Sequence, residues 1–194
     1  MSAAELGADA TLGPALLARA RNAIARTWGE APLPEPPHPA LHAPGATFVT
    51  LRRSGALRGC IGTLRAERPL DEDVRRHARA AAFDDPRFAP LARAEYDGLE
   101  IEVSLLGEAE PLAAGSEAQA LALLRRGRDG VILEWRGRRA TFLPQVWEQL
   151  PQAARFLAEL RRKAGLAADF WAPDLRLARY EVRQFAQACS IRAA

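Results

Sequence analysis

Apolar side chains recur along this chain at two spacings, one typical of helices and the other typical of strands. Leu17, Ala20 and Ile24 are three or four positions apart, which predicts an amphipathic helix over residues 12–28. Every second residue is apolar over residues 99–106, which predicts a strand with one buried face. By these criteria the first half of the chain contains a helix, a β-hairpin, a helix and a strand at residues 12–28, 47–64, 71–83 and 99–106.

The second half of the chain repeats this order of elements. Ser116 and Gln119 form a capping-box pattern that starts a helix reaching about Arg126. Strands, a helix and a last strand are then predicted at residues 131–135, 139–143, 151–164 and 175–185. We therefore predict a single domain over residues 1–194 with two pseudo-repeat halves, at about 12–107 and 116–187. The order is not the βαβ alternation of a doubly wound fold. The predicted fold class is α+β, with a mixed, partly barrel-like sheet and the helices outside it.

A proline-rich segment at residues 30–45 interrupts these patterns. Its six prolines exclude helix and sheet interior, so an extended connector is predicted. His38 and His42 lie within it, four residues apart, which is a metal-ligand spacing when the backbone is helical. No helix is predicted here and no third ligand is near in sequence, so we interpret both histidines as residues of a surface loop and predict no metal site.

Composition places the chain among ordinary globular proteins. The hydrophobic fraction is 48% and the charged fraction 26%, while the apolar runs are far shorter than the ~20 residues that cross a bilayer. The N-terminus lacks the basic and apolar regions of a secretory signal, so a cytoplasmic location and no membrane association are expected. Cys60 and Cys189 are the two cysteines, and in the cytoplasm both are expected to be reduced thiols.

The net charge of +3 and the pI near 9.4 raise the question of nucleic-acid binding. Of the 27 basic residues, only Lys163 is a lysine, and the arginines alternate with acidic residues along the chain. A nucleic-acid surface requires basic residues clustered on one face. The sequence therefore does not favour a nucleic-acid partner.

Residues Leu57–Gly62 (LRGCIG) combine a strand-like pattern with two glycines that flank a cysteine. Glycine has no side chain to pack in a strand and costs entropy to order, so the pair predicts a bend or a close approach of another group. One interpretation is a reactive Cys60, with Arg58 on the same face lowering the thiol pKa and backbone N–H groups stabilising an oxyanion. The other is a small buried cysteine beside a closely packed helix.

This hexapeptide resembles the signature of the AMMECR family, whose bacterial and archaeal members are called protein A of the AmmeMemoRadiSam system. The resemblance extends over residues 12–187. It includes further blocks, in order, at Asp85–Phe88, Glu102–Leu106, Ala140–Trp147, Lys163–Leu166 and Tyr180–Val182. The resemblance implies a duplicated α+β protein of two subdomains, with a Memo-like protein and a radical SAM protein as partners. It implies no settled reaction, and no cofactor is expected.

Candidate site residues lie in these motifs. Cys60 is the candidate catalytic residue, and its missing base would be His77 if the fold brings the two together. Arg87 is predicted either to hold an anionic ligand or to pair with Asp84 or Asp85, and Trp147 either to contact ligand or to belong to the core. The candidate ligand-binding residues are Arg58, Gly59, Gly62, Arg87, Gln145 and Trp147.

Two functions of different class follow from these residues. In the first, the chain is an accessory protein that binds a ligand or a partner in a pathway linked to Memo and radical SAM proteins. In the second, it is an enzyme that modifies a small molecule or a protein, with Cys60 as the nucleophile.

Overall fold

The computed structural model describes residues 11–187, which divide into two compact units. The first unit comprises the residues up to Leu106 together with those from Arg183 onward, and the second comprises Gly107–Val182. Cys189 lies outside the described residues. Within the described part of the chain, none of the helices is long and apolar enough to span a membrane.

The first unit begins with a helix whose end is set by glycine. Helix α1 (Leu12–Ala25) continues into a 3-10 turn (Arg26–Trp28), and Gly29 then adopts the left-handed conformation, φ 70°, that stops a helix. The remaining elements are β1 (Pro44–Gly45), β2 (Thr47–Arg53), β3 (Ala56–Gly62), β4 (Arg68–Pro69), α2 (Leu70–Phe83), α3 (Arg93–Tyr96), β5 (Leu99–Leu106) and β10 (Val182–Gln187).

The second unit contains the same kinds of element. They are β6 (Glu110–Pro111), α4 (Glu117–Leu123), β7 (Gly130–Trp135), β8 (Arg138–Phe142), α5 (Val146–Gln149), α6 (Ala153–Lys163) and β9 (Arg176–Tyr180). The predicted helix start at Ser116 is confirmed, because its hydroxyl accepts a hydrogen bond from the Gln119 N–H.

Both hairpins turn through two residues with positive φ, the geometry that matches the twist of the flanking strands. Ser54 and Gly55 have φ values of 50° and 78°, and Arg136 and Gly137 have φ values of 43° and 80°. In each unit the first hairpin strand lies between the second hairpin strand and the strand that follows the long helix. The four-stranded sheets have the orders β10-β5-β2-β3 and β6-β9-β7-β8.

Each unit has its own hydrophobic core on one face of its sheet. In the first unit α1 packs against β5, and α2 packs against β2 and β3. The alternate β2 residues Thr47, Val49 and Leu51 face these helices and are all fully buried. In the second unit α6 contributes Phe156, Leu157 and Leu160 to a separate cluster with Val131 and Leu133 of β7.

The predicted α+β class is confirmed, whereas the expected single mixed sheet is replaced by separate sheets. The strand pairs with a defined register are antiparallel, and the described strands form no closed barrel. Each hairpin pairs with the strand that follows its own helix, so the two hairpins belong to different sheets. The predicted last strand over 175–185 also divides, since β9 ends at Tyr180 in one sheet and β10 begins at Val182 in the other.

The proline-rich segment is less exposed than the sequence predicted. Residues Pro39–His42 form a 3-10 turn. His38 is only 5% exposed, and its ring accepts a hydrogen bond from the Ala40 N–H. The interpretation of His38 as a surface residue was therefore wrong, whereas His42 is exposed. The Asn22 side chain of α1 bonds both backbone groups of Leu33, which fixes this segment against the helix.

Candidate functional site

A β-bulge lies within the Leu57–Gly62 motif. Leu51 of β2 is opposite Gly59 and Arg52 is opposite Leu57, so Arg58 is an extra residue with no partner across the hairpin. The expectation that Arg58 and Cys60 share one face assumed a regular strand, and the strand is not regular between these residues. An inserted residue interrupts the alternation that the expectation required.

The Arg58 guanidinium is occupied by an acidic partner. Its Nε and Nη2 donate to the Glu95 carboxylate at 2.8 and 3.0 Å, and Nη2 also donates to the Ala89 carbonyl oxygen at 3.0 Å. The hydrogen bonds from Arg58 lower the pKa of Glu95 to about 2. Because the pair is bidentate, Arg58 does not act as an uncompensated cation beside the thiol.

The two glycines of the motif are explained by close packing. A Cβ atom at Gly59 would lie 2.1 Å from the carbonyl oxygen of Ala81 in α2. A Cβ at Gly62 would lie 2.4 Å from both the Phe48 ring and the Thr47 carbonyl oxygen. Helix α2 and strand β2 therefore approach β3 more closely than any side chain at these positions would allow. Packing supplies a sufficient reason for both glycines without a ligand.

The backbone of Cys60 is held by two side chains. Strand β3 is at the edge of its sheet, and Asp85 accepts a hydrogen bond from the Cys60 N–H at 2.8 Å. Arg87 Nη2 donates to the Cys60 carbonyl oxygen at 3.2 Å. The Asp85–Arg87 pair thus replaces the hydrogen bonds that a further strand would make, which also blocks pairing at the edge. The Asp85–Phe88 block and the hexapeptide therefore form one structural unit.

Arg87 pairs with Asp85, which is one of the two predicted alternatives. Its Nε and Nη2 donate to the two Asp85 oxygens at 2.9 and 2.7 Å. These bonds from the Arg87 side chain hold the pKa of the buried Asp85 carboxyl well below its usual range, and hydrogen bonds from the Cys60 and Arg87 backbone N–H groups act in the same direction. The Arg87 side chain remains 53% exposed, and both Arg58 and Arg87 stack near the Phe88 ring, at 5.8 and 5.5 Å from its centroid.

The Cys60 thiol belongs to a row of polar side chains that crosses the four strands. Thr50 of β2 is opposite Cys60 on one side and Glu102 of β5 on the other. The Thr50 hydroxyl donates to Cys60 Sγ at 3.4 Å, and Gln184 Nε2 of β10 donates to Glu102 Oε1 at 3.4 Å. We call Cys60, Thr50, Glu102 and Gln184 the polar row. Cys60, Thr50 and Glu102 are each partly exposed.

His77 lies on the other face of the sheet. Its Nδ1 is 3.1 Å from Asp73 Oδ2 and 3.3 Å from the Thr47 hydroxyl, and it is 5% exposed. Thr47 and Thr50 are three positions apart on β2, so their side chains point to opposite faces. His77 therefore belongs to the helical face and is not a base for the Cys60 thiol.

Gln145 and Trp147 lie in the second unit, at the start of α5. Trp147 is 2% exposed, donates from Nε1 to the Asp129 carbonyl oxygen at 2.7 Å, and stacks on Phe156 with ring centroids 3.9 Å apart. These contacts favour the core interpretation of Trp147. Gln145 is partly exposed, and its buried Oε1 has no hydrogen-bond partner within residues 11–187.

Asp85, Thr50, Glu102 and Gln184 were not among the predicted site residues. The sequence suggested Asp85 as a loop partner of Arg87, and Glu102 either as one of a carboxylate pair with Glu100 or as part of a solvated sheet face. Thr50 carries no signal beyond its polar position in an alternating strand. The position of Thr50 opposite both Cys60 and Glu102 could not be predicted from one strand alone, because a bulge in β3 shifts the pairing by one residue.

Comparison with known proteins places the chain in a family. The AMMECR1 family model matches residues 17–185. A protein of Methanothermobacter thermautotrophicus is 40% identical over 144 residues, which cover 71% of this chain and 73% of that protein. A protein of Sulfolobus acidocaldarius is 39% identical over 145 residues, 72% of this chain and 64% of its own length.

A solved structure has the same fold. The crystal structure of the uncharacterized protein PH0010 from Pyrococcus horikoshii superimposes with a TM-score of 0.78 and 34% sequence identity. The alignment covers 91% of this chain and 92% of that one. The family match spans nearly all of the described residues, and the structural match spans both units in sequence. The chain therefore belongs to the AMMECR1 family.

Proposed function

We propose that this chain is an accessory protein that binds a polar ligand, or a polar segment of a partner, on the row formed by Cys60, Thr50, Glu102 and Gln184. The supporting observation is an internal comparison between the two sheets. Thr50 is four residues before Ser54 in the first hairpin turn, and Ile132 is four residues before Arg136 in the second. The two positions can therefore be compared, together with their buried neighbours Leu51 and Leu133.

Leu51 and Leu133 are equivalent by their pairing. Leu51 is opposite Gly59 and Ile101, and Leu133 is opposite Ala140 and Leu177, and both leucines are fully buried in their cores. The residue before Leu51 is Thr50, whose partners across the first sheet are Cys60 and Glu102. The residue before Leu133 is Ile132, whose partners across the second sheet are Thr141 and Ala178.

The second sheet therefore forms with no thiol or carboxylate in this row. A carboxylate on a partly exposed sheet face is not required for the same topology, and Glu102 makes no ion pair with any described residue. Polar groups that the fold does not need are candidates for binding. Glu102 and the Thr50 oxygen present acceptors, so the row is suited to a ligand that donates hydrogen bonds.

The contacts of Cys60 support binding rather than nucleophilic catalysis. A reactive thiol requires a base or an uncompensated cation nearby. Arg58 pairs with Glu95, Arg87 pairs with Asp85, and the Cys60 N–H is already bonded to Asp85, so it is not available to an oxyanion. The observation that favours the enzymatic alternative is the hydrogen bond from the Thr50 hydroxyl to Cys60 Sγ, since a donor at the sulfur stabilises a thiolate.

Alkylation of the native chain by iodoacetamide distinguishes the two functions. We expect Cys60, measured by mass spectrometry in a Cys189→Ser background, to be labelled no faster than the thiol of free N-acetylcysteine at the same pH, since its contacts within the described residues include no base and no unpaired cation. Thr50→Val and Glu102→Gln should leave this rate unchanged. A labelling rate well above that of the reference thiol in the parent chain, and its loss in either variant, would instead support a nucleophilic Cys60.

The proposed partners are a Memo-like protein and a radical SAM protein, on the basis of the family resemblance. In co-expression with both, we expect an affinity-tagged chain to retain at least one of them and Glu102→Gln to reduce that retention about tenfold. Glu67→Gln, which removes an exposed carboxylate outside the row, is the matched control. Equal retention by Glu102→Gln and the parent chain would exclude the polar row as the binding surface.

A further inference from the structure

Arg161 is a charged residue in the interior of the second unit. It lies on α6 beside Leu160 and one turn after Leu157, both fully buried, and is itself only 1% exposed. Arginine is almost never this deeply buried unless its guanidinium is fully paired. The contacts of this guanidinium are therefore informative.

Within the described part of the chain, one nitrogen of the Arg161 guanidinium makes all of its hydrogen bonds. Nη1 donates to Glu117 Oε1 at 2.9 Å and to the Ala168 carbonyl oxygen at 2.6 Å. The guanidinium carbon lies 5.8 Å from the centre of the Trp171 ring, in the range of a cation–π contact. Glu117 is at the start of α4, while Ala168 and Trp171 belong to the segment between α6 and β9.

The other two nitrogens are buried without a partner. Nε and Nη2 of Arg161 have no hydrogen-bond acceptor within residues 11–187. These two atoms form the edge of the guanidinium that binds two oxygens of a carboxylate or a phosphate side by side. Burying a charged donor without an acceptor lowers the stability of the fold, and here both donors of one bidentate edge are buried in this way.

We propose that the Nε–Nη2 edge of Arg161 binds a small oxyanion, a carboxylate or phosphate group of a small molecule, in the second unit. Trp171 covers the guanidinium, and Glu117 compensates part of its charge through Nη1 while the ligand is absent. Because both free nitrogens are buried, the ligand enters when the segment carrying Ala168 and Trp171 moves away. This proposal does not depend on the function assigned to the polar row.

The test is the thermal response of the full chain to anions at constant ionic strength. Relative to sodium chloride, we expect inorganic phosphate or acetate at ~20 mM to raise the melting temperature by about 3 °C, the shift that a ligand a few-fold above its dissociation constant gives a chain of this size. A larger response to phosphate than to acetate identifies a phosphate group, and the reverse identifies a carboxylate.

Arg161→Met separates binding from a structural role. Methionine has a similar length and offers no donor, so the anion response should disappear whatever the melting temperature of the ligand-free variant. If Arg161 were structural only, the parent chain and the variant would respond to the anions alike. Arg162→Met, which changes the exposed neighbouring arginine, should keep the full response.

Glu117→Gln provides a second measurement, the apparent anion affinity, which a change in folding stability alone would not raise. Removing the carboxylate from Nη1 leaves Arg161 with more uncompensated charge, so the apparent affinity for the anion should rise several-fold even if the variant is less stable. The proposal is overturned if the parent chain responds equally to phosphate, acetate and chloride. It is equally overturned if the response persists in Arg161→Met or if Glu117→Gln weakens it.

Discussion

Replacing Asp85 with asparagine is expected to lower the free energy of unfolding of the first unit by about 2 kcal/mol at neutral pH. Asp85 is 4% exposed and accepts hydrogen bonds from the Cys60 N–H and from the backbone and side chain of Arg87. Asparagine has similar size but no charge, and one of its two polar atoms is a donor that would face other donors. Urea denaturation at pH 7 measures the loss.

The effect of this substitution should depend on pH. Arg87 and the neighbouring N–H groups lower the pKa of the folded Asp85 carboxyl, whereas in the unfolded chain it titrates near its usual value, about 3.9. The charged carboxylate therefore contributes stability above about pH 4, and this contribution is lost as the pH falls below that value. The difference between the parent chain and Asp85→Asn should shrink when the measurement is repeated at pH 3.

Local hydrogen exchange shows where the stability is lost. In Asp85→Asn, the amides of β3 (Ala56–Gly62) should exchange faster, because the side-chain clamp on the Cys60 backbone is broken. Asp84→Asn is the matched control, since the exposed neighbouring carboxylate makes no ion pair within the described residues. Equal effects of the two substitutions would show that the Asp85 clamp does not stabilise the edge strand.

The second large effect is expected from Gly59→Ala, with a loss of about 3 kcal/mol in the free energy of unfolding. The added Cβ would lie 2.1 Å from the Ala81 carbonyl oxygen. That oxygen belongs to the backbone of α2, so no side-chain rotation relieves the contact, and the helix must move away from the sheet. The melting temperature and the m-value of the variant are the measurements.

Gly98→Ala is the control for this substitution. The nearest atom to a Cβ at Gly98 is the Glu95 carbonyl oxygen at 4.0 Å, an ordinary contact distance. Its stability should differ from the parent by a few tenths of a kcal/mol, about the size expected for a glycine substitution that introduces no strain. A Gly59→Ala chain as stable as Gly98→Ala would mean that α2 does not pack on β3 as closely as described.

Much of the fold could be predicted because its signals are local. The predicted strand over residues 99–106 is confirmed at both ends as Leu99–Leu106, since its alternating pattern records directly which face is buried. The helix predicted over residues 12–28 ends before Gly29, and the hairpin predicted over residues 47–64 turns at Gly55, because glycine adopts the required backbone conformation without strain. Which strands pair is not local, and here one expected sheet became separate sheets.

The Leu57–Gly62 motif shows where sequence reasoning ends. Sequence alone determined that two glycines in a strand require a close approach of another group, that Cys60 lies beside them, and which family the motif resembles. The tertiary structure decided that α2 and β2 make that approach, that Arg58 is an inserted residue paired with Glu95, and that Asp85 and Arg87 hold the Cys60 backbone. The physical reason is that spacing along a chain fixes the face of a residue. Its neighbours across the sheet depend on register, and one inserted residue changes that register.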